Sequence, residues 1–535
     1  MRSTHIQHRL RLVSTIFGYE ARKLIANRAF WILLLILCPL LGYSFIQAVD
    51  LFSAASRTAI ERPELAGGMT TLDGVLAPTL GAFYLATTLL FPFVAIRALG
   101  HEKQTGALKL AMQLPVSETE IIALKLGAIC LVWAFSLTPA ISAIVLWKFL
   151  GGFVSVPELT NLLLGHALYA VTVAAVALFA AAVTDSVSAG AIITLAFTLG
   201  FWILDLTVGF QGGALAYLAS LSPTAVLREC ERGWFVLPRI AQTIVLALCF
   251  TALAIAWVPA GVKIRRKIAT SAIILLASAI IFVAAANARL YADVTVDRRN
   301  SLNPADEAAI RRMKDPLDIT IYLSPDDSRL RKMETNVLVK LRRIMPSVHV
   351  RYEKVLNWGP FGVPEDNRYG LVTYEYQGLR EASRSNSFSE ILPILHKLAR
   401  VTVTPTGTPA FVGHPLVADS TPAAWWFYAI LPAIVLGCWF LSGRLSRSSK
   451  PFAPASSRKP IRWKPKRNNS AETFLFSLIG MITLPTVNLS AAESTRIDLS
   501  QEQVGAEPSV FAAALGSGSI GTAENNKKVL VVGVM

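Results

Sequence analysis

Eight long apolar runs determine what this chain of 535 residues can fold into. Each run approaches or exceeds the ~20 residues that a helix needs to cross ~30 Å of hydrocarbon. Backbone polar groups find no water inside a bilayer, so a run that crosses it must be helical. The sequence therefore predicts a mainly α, polytopic membrane helix bundle, kinked where Pro92, Pro139 and Pro432 interrupt the runs. The eight runs are Ala29–Val49, Leu76–Leu99, Ile121–Trp147, Thr160–Val183, Val187–Val208, Pro238–Pro259, Ile268–Ala286 and Ala423–Leu441.

The composition agrees with a membrane protein and sets aside a nucleic-acid binder. The chain is 53% hydrophobic and 16% charged, with a mean hydropathy of +0.50, so its apolar excess belongs in lipid. A net charge of +16 in a soluble chain would suggest nucleic acid as a partner. Here the Lys and Arg residues concentrate beside the apolar runs, where anionic lipid attracts them. Membrane lipid is therefore the predicted partner, and nucleic acid is not.

Loop charges predict the orientation. Residues 1–28 have the pattern of an amphipathic helix with six Arg and Lys side chains, and Lys263–Lys267 adds a basic group after the sixth span. The positive-inside rule then places the N-terminus and residues 101–125 in the cytoplasm and residues 288–421 outside. Ala29–Val49 is long for a signal peptide, and no A-x-A cleavage pattern follows it directly. The prediction is a multi-pass protein of the bacterial cytoplasmic (inner) membrane with an uncleaved first span.

A mixed-charge island, His101–Lys125, separates the second run from the third. Gly100 and Gly106 have the spacing of a phosphate-binding loop, but Ala107 follows where that loop needs Lys and then Ser or Thr. No other Gly-x-x-x-x-Gly-Lys-Ser/Thr pattern occurs in the chain. The sequence thus predicts no ATPase site, no metal site and no catalytic set of its own.

The island has the pattern of a short docking element. Ser117 followed by Glu120 forms a capping box that opens the third span, and Pro115 breaks the chain before it. Such an element either docks on a partner or is an ordinary solvated loop. The apolar stripe ahead of the break consists of Leu108, Leu110, Met112 and Leu114.

The island and the first spans resemble the ABC type-2 exporter permeases. The similar residues are Glu102, Gly106, Leu108, Leu114-Pro115-Val116-Ser117 and Lys125, with YEARKLIANRAFWILLL from Tyr19 to Leu35. Ala107 stands where Thr is commoner in that family, and Leu124 where Gly is common. The resemblance implies a six-span permease unit at 29–260 and a homodimer or heterodimer with a similar subunit. It also implies that ATP and Mg²⁺ are bound by an ABC ATP-binding subunit, which would contact Glu102, Lys103, Gly106, Leu108, Leu114, Pro115 and Ser117.

Residues 288–421 predict a small inserted α/β domain. A helix at 304–314, a strand at 319–323, a helix at 327–344 and a strand at 348–355 form a β-α-β pattern. A hairpin around Gln377-Gly378 and a helix at 388–399 follow. The segments 292–324 and 369–385 resemble the extracytoplasmic domain of gliding-motility-type (Gld-like) ABC auxiliary proteins. That resemblance implies a binding or scaffolding role.

Few polar residues lie inside the runs. His166 and Asp205 are candidates for a translocation path, although a structural role is the alternative for Asp205 near the membrane surface. The loop Gly209–Leu237 is predicted to be either re-entrant or interfacial. The predicted later boundaries are 261–287 (basic loop and seventh span), 422–442 (eighth span), 443–470 (basic disordered linker), 471–492 (signal-like segment, ninth span or fusion relic) and 493–535 (tail ending in a strand-like run without partners).

These expectations combine into two functional hypotheses. The first is the permease subunit of an ATP-binding-cassette exporter, which couples ATP hydrolysis by a separate subunit to outward transport of an unidentified substrate. The second is a non-transporting membrane scaffold or sensor that acts through its outer domain. The sequence names no substrate for either.

Overall fold

The computed structural model describes residues 2–62, 70–113, 115–207, 222–259, 261–287, 290–324, 327–345, 347–353, 368–403, 413–448, 517–522 and 528–533. The chain divides into two compact units, Met1–Ala453 and Pro454–Met535, which are treated separately below.

The described part of the first unit contains eight helical segments that are long and apolar enough to cross a membrane. Each coincides with one of the predicted runs, so the polytopic helix bundle is confirmed. The segments are Arg28–Glu61, Leu72–Leu89, Glu118–Phe149, Val156–Val183, Val187–Leu204, Leu237–Trp257, Ile264–Ala285 and Thr421–Ser442. The helices, labelled in chain order, are α1 (Arg2–Ile25), α2 (Arg28–Glu61), α3 (Ala77–Leu89), α4 (Phe91–Ala95), α5 (Arg97–Thr105), α6 (Ala107–Ala111), α7 (Glu118–Ser136), α8 (Thr138–Phe149), α9 (Val156–Val183), α10 (Val187–Thr207), α11 (Pro223–Glu231), α12 (Leu237–Trp257), α13 (Ile264–Ala285), α14 (Pro304–Ile310), α15 (Ser328–Met333), α16 (Val339–Ile344), α17 (Phe388–Leu398), α18 (Thr421–Trp425) and α19 (Leu431–Ser448).

Proline interrupts three of the spans, as predicted. Pro92 lies in the first turn of α4 and Pro139 in the first turn of α8. Pro432 is the second residue of α19, after the π-helical turn Trp426–Ile430. Proline lacks the N–H that a helix interior needs, whereas the first helical turn leaves that group unbonded anyway.

Helix α9 forms the centre of the bundle. Two thirds of its apolar stretch (67%) is buried in the protein, compared with none of α13. Its C-terminal half is rich in buried alanine, which allows neighbouring helix backbones to approach closely. Helices α7, α10, α11 and α12 all pack against it. The buried alanines of α9 include Ala174, Ala175, Ala177, Ala180, Ala181 and Ala182.

A four-stranded sheet forms after the seventh span. Its strands are β3 (Leu317–Ile321), β4 (Val348–Tyr352), β5 (Val372–Tyr376) and β6 (Leu379–Ser383), and they lie in the order β4-β3-β5-β6. Strands β3 and β4 are parallel, and β5 and β6 form an antiparallel hairpin, as the β-α-β and hairpin patterns predicted. The first strand begins two residues before its predicted start, and α14 ends at Ile310 rather than Lys314. A π-helical turn at Glu334–Leu338 lies between α15 and α16.

The sheet has its own apolar core, in which Ile319 and Leu341 are fully buried. It also belongs to the same compact unit as the helix bundle, so an independently folded domain at 288–421 stays a prediction. The short strands β1 (Trp234–Val236) and β2 (Tyr291–Asp293) pair antiparallel and join the two parts. The backbone N–H of Val296 donates to the Glu158 carboxylate of α9 (2.9 Å), and Arg299 forms an ion pair with Asp73.

The described part of the second unit is one antiparallel hairpin of β7 (Ser517–Thr522) and β8 (Lys528–Gly533). The predicted strand at 528–533 is therefore present, but the expectation that it has no partner was wrong. Residues 449–516, which include the signal-like segment 471–492 and most of the basic linker 443–470, lie outside the described residues.

The sheet core generates the first prediction. Ile319→Ala removes a fully buried side chain of β3 and should destabilise this part by about 2–5 kcal/mol. Trypsin should then cleave residues 290–403 of the full chain in nanodiscs faster than in the unchanged protein. Thr320→Ala, on the opposite face of the same strand, is the control and should cleave at the parental rate. Equal rates for both variants would contradict the core assignment.

Candidate functional site: the charge cluster behind the 101–125 segment

The 101–125 segment is built from two short helices that meet at Gly106. Helix α5 ends there, and Gly106 has φ = +76°, a left-handed conformation that disfavours any residue with a Cβ. Helix α6 follows directly at Ala107. The glycine therefore lets the chain turn sharply and present a five-residue helix beyond the end of α5.

The capping box predicted for the next helix is present. The Glu120 N–H donates to Ser117 Oγ (3.2 Å), and the Ser117 N–H donates to Glu120 Oε2 (2.9 Å). Together these bonds satisfy two backbone donors at the start of α7. Arg9 of α1 also contacts Glu120, with Nη2 and Oε1 2.6 Å apart, so the first helix is fastened to this capping box.

The predicted coupling residues divide between two faces of the 101–125 segment: an inner face, which is buried against the helix bundle, and an outer face, which is exposed. Glu102 and Leu108 are buried, and Lys103 is half-buried. Pro115 and Ser117 are exposed, and Leu114 lies outside the described residues. Leu110 is 67% exposed. The outer face consists of His101, Gln104, Thr105, Ala107, Lys109 and Leu110.

A fully buried lysine lies directly behind this segment. Lys125 Nζ of α7 donates to Glu102 Oε2 of α5 (2.6 Å) and to Glu20 Oε1 of α1 (2.7 Å). It also donates to the backbone carbonyl of Ala98 (3.0 Å), so all three of its N–H donors have acceptors. A buried ammonium is costly unless it is paired and hydrogen-bonded in this way.

Two unequal carboxylates flank Lys125. Burial raises the pKa of the Glu20 carboxyl, and the Lys125 ammonium opposes that rise. Burial acts on Glu102 as well, but Lys125 and Lys23 together attract its charged form and hold its pKa below the ordinary value. Lys23 forms an ion pair with Glu102 and lies 3.9 Å from Glu20. Because the pKa of Glu102 is lowered in the fold, its stabilisation is present above the pKa of an unfolded Glu and is lost as pH falls through the lowered value.

Lys103 extends the network to the central helix of the bundle. Its Nζ donates to the carbonyls of Ala182 (2.9 Å) and Thr184 (2.8 Å) at the end of α9, and it lies 3.1 Å from Asp185 Oδ1. Cations are favourable at a helix C-terminus, where unbonded carbonyls carry partial negative charge. Helices α1, α5, α7 and α9 are therefore joined by charged contacts around one segment, which we call the charge cluster: Glu20, Lys23, Glu102, Lys103 and Lys125.

Glu20 and Lys23 did not emerge as site residues from the sequence. The clue to them in the sequence is their partner Lys125, because a lysine inside an apolar run needs a compensating group on a neighbouring helix. The identity of that helix depends on how α1 packs against α7, which local patterns do not reveal.

The structure describes the side chain of only one of the two candidate translocation-path residues, His166 and Asp205. His166 of α9 is buried against Phe83, with ring centroids 6.0 Å apart, and its Nε2 has no hydrogen-bond partner among the described residues. One turn further on, the Tyr169 hydroxyl contacts Thr88 Oγ1 (2.9 Å). Asp205 lies in the last turn of α10, and its side chain is outside the described part.

The charge cluster generates the second prediction. Lys125→Met leaves two carboxylates buried without their shared cation and should lower the free energy of unfolding by about 3–5 kcal/mol. Thermal unfolding of the purified protein in detergent measures the loss. Adding Glu20→Gln and Glu102→Gln to Lys125→Met should recover most of it, because the two buried carboxylates are then neutral and Lys23, which loses its Glu102 partner, is only half-buried and can reach water. Lys109→Met, at an exposed position of α6, is the control, and a loss equal to that of Lys125→Met would contradict the buried-charge account.

Comparison of the whole chain with models of protein families, with curated proteins and with solved structures finds no match. The functional statements below therefore depend on the chain's own residues and their geometry.

Proposed function

We propose that this protein is the membrane-spanning permease subunit of an ATP-binding-cassette exporter. A separate ATP-binding subunit hydrolyses ATP, and this chain, in two copies or paired with a similar subunit, moves a substrate outward. The observation that carries the proposal is helix α6, a short helix with an exposed leucine that is held in front of a buried charge cluster.

The outer face of α5 and α6 has the chemistry of a small docking surface. Leu110 offers an apolar contact, and Lys109 and His101 surround it with polar groups. A helix of this kind binds in a groove through one apolar anchor with a polar rim. The ATP-binding subunit would contact these outward residues, while Glu102, Lys103 and Leu108 would transmit the movement from behind.

The charge cluster makes the 101–125 segment a stiff connection between the docking surface and the helix bundle. Displacing α5 separates Glu102 from Lys125 and Lys23, which would leave charges buried without partners. The lower-energy response is for α1, α5 and α7 to move together. ATP-driven closure of the partner would thus shift the bundle between inward-open and outward-open states, to the extent that the partner binds the two states with different affinity.

The proposed topology places the charge cluster in the cytoplasm and residues 288–421 outside. Arg9, Lys23 and Lys103 all have their contacts at one end of the bundle. The contacts of Glu158 and Asp73 with residues 296–299 are made from the opposite ends of long helical segments. These basic residues belong to short segments beside the spans, which are the segments that the positive-inside rule counts, whereas residues 288–421 form a long segment outside its scope.

The third prediction tests docking. Leu110→Asp should abolish co-purification with the ATP-binding subunit encoded nearest to this gene, because it introduces a charge at the centre of the docking surface. Ile60→Asp is the matched control, since Ile60 is similarly exposed (60%) at the far end of α2. The Leu110→Asp protein should keep the parental thermal stability. Its undiminished co-purification would refute the proposed surface.

Hydrolysis rates separate the permease from a scaffold or sensor. In proteoliposomes the unchanged chain should raise the ATP hydrolysis rate of the partner, whereas Leu110→Asp should not. A scaffold that acts only through residues 288–421 would leave the rate unchanged in both cases.

The fourth prediction tests topology. Single cysteines at Gln104 and Glu390, both exposed, are introduced into a chain whose five native cysteines are replaced. A membrane-impermeant maleimide should label position 390 in intact spheroplasts and position 104 only after lysis. The reverse pattern would overturn the orientation.

A further inference from the structure

A basic cavity lies where the helix bundle meets the sheet. Its volume is about 690 Å³, within the range of small-molecule sites. Strands β1 and β2 contribute Trp234 and Tyr291, and helices α14 and α16 contribute the rest of the described lining. That lining is Trp234, Tyr291, Glu307, Arg311, Val339, Arg342 and Arg343.

Three arginines from two helices converge on this cavity, against a single carboxylate. Glu307 is already bonded to Arg311, whose Nη2 lies 2.6 Å from Glu307 Oε1. Arg342 and Arg343 are exposed, and Arg342 also interacts with the Tyr352 hydroxyl, which donates to Glu334 Oε1 (3.0 Å), so Arg343 is the arginine of this lining with no carboxylate nearby among the described contacts. Basic residues at the end of α16 are favoured by the helix dipole, but that effect does not explain why they face Arg311 of another helix. The excess positive charge favours an anion.

Trp234 is part of the cavity wall and is fixed to the helix bundle. Its indole Nε1 is buried and has no hydrogen-bond partner among the described residues. Its backbone carbonyl accepts from Asn161 Nδ2 of α9 (3.2 Å), which fixes the strand in place. Trp234 therefore ties this wall of the cavity to the central helix α9.

The cavity lies next to the ends of two candidate spans. Strand β1 directly precedes the span Leu237–Trp257, and β2 follows the span Ile264–Ala285 by a few residues. Trp and Tyr are typical of the membrane–water interface, where one side of the ring is apolar and the other is wet. A molecule at this depth can keep its charged group among the arginines and its apolar part in the bilayer.

We propose that this cavity binds the phosphate group of an anionic amphiphile. Guanidinium groups bind phosphate through paired, charge-assisted hydrogen bonds, and the three arginines of the lining offer several donors to its oxygens. The same chemistry would bind free phosphate, so the two sources must be distinguished by experiment. The site requires no ATP-binding partner, and its failure would leave the proposed permease function intact.

The test is isothermal titration calorimetry on the purified full chain in detergent. The probes are short-chain phosphatidate, inorganic phosphate and a phosphatidylcholine with the same acyl chains. Arg342→Gln with Arg343→Gln should weaken phosphatidate binding roughly tenfold or more, because two charge-assisted contacts are lost. Phosphatidylcholine, whose choline offsets the phosphate charge, should bind weakly to every variant.

The control is Arg312→Gln with Arg351→Gln, which removes the same charge from exposed positions outside the cavity lining. This control should bind like the unchanged protein. Phosphatidate binding tighter than that of inorganic phosphate identifies a lipid source, and equal affinities identify a soluble phosphate, both through the same site. Binding that is equal in the cavity variant and the unchanged protein, or equally reduced in the control, would overturn the proposal.

Discussion

The buried ammonium of Lys125 is the contact on which one end of this membrane bundle depends. Its three donors reach Glu20, Glu102 and the Ala98 carbonyl, so helices α1, α5 and α7 share a single charged centre. No single partner can leave without exposing the others to an uncompensated charge in a low-dielectric surrounding. An apolar contact in the same place would allow the helices to slide past one another, because dispersion forces have little directionality. Charged hydrogen bonds fix the distance and the angle of the helices as well as their proximity.

This constraint explains why the 101–125 segment has two different faces. The inner face is taken up by Glu102, Lys103 and Leu108, which are committed to partners in the bundle. The outer face is left with small or polar residues and the exposed Leu110. Under the proposed function, a movement imposed on the outer face would reach the inner contacts through α5 and α6. Gly106 lies between the two helices, and its left-handed backbone fixes the direction in which α6 projects.

The sequence predicted best what is decided locally. The Ser117–Glu120 capping box and the proline breaks at Pro139 and Pro432 depend on residues within a few positions of each other, and they were found where expected. The eight spans were found as well, but the first helix continues to Glu61 instead of ending at Val49, and the second segment ends at Leu89 instead of Leu99. The alternating strands and the β-α-β order were predicted for the same reason, with boundaries displaced by two to four residues. Side-chain pairing over long separations was not predicted. Glu20 and Lys125 are 105 residues apart, and their contact is decided by helix packing rather than by any local pattern.

Helix α9 gives the two ends of the molecule a common element. Near its start, Glu158 accepts from the Val296 backbone beside the sheet, and at its end Ala182 and the adjoining Thr184 accept from Lys103. Its 28 residues span about 42 Å at ~1.5 Å per residue, which is enough to cross a bilayer and reach both surfaces. Most of its apolar stretch is buried, so it is held along its length by the other helices and cannot bend freely. The same helix also holds Trp234 through Asn161, at the wall of the basic cavity. A displacement of α5 that moves Lys103 would therefore act on a long, buried helix whose other end contacts the wall of the cavity. Helix α13, with none of its apolar stretch buried, adjoins the cavity through β2, which follows it in the chain.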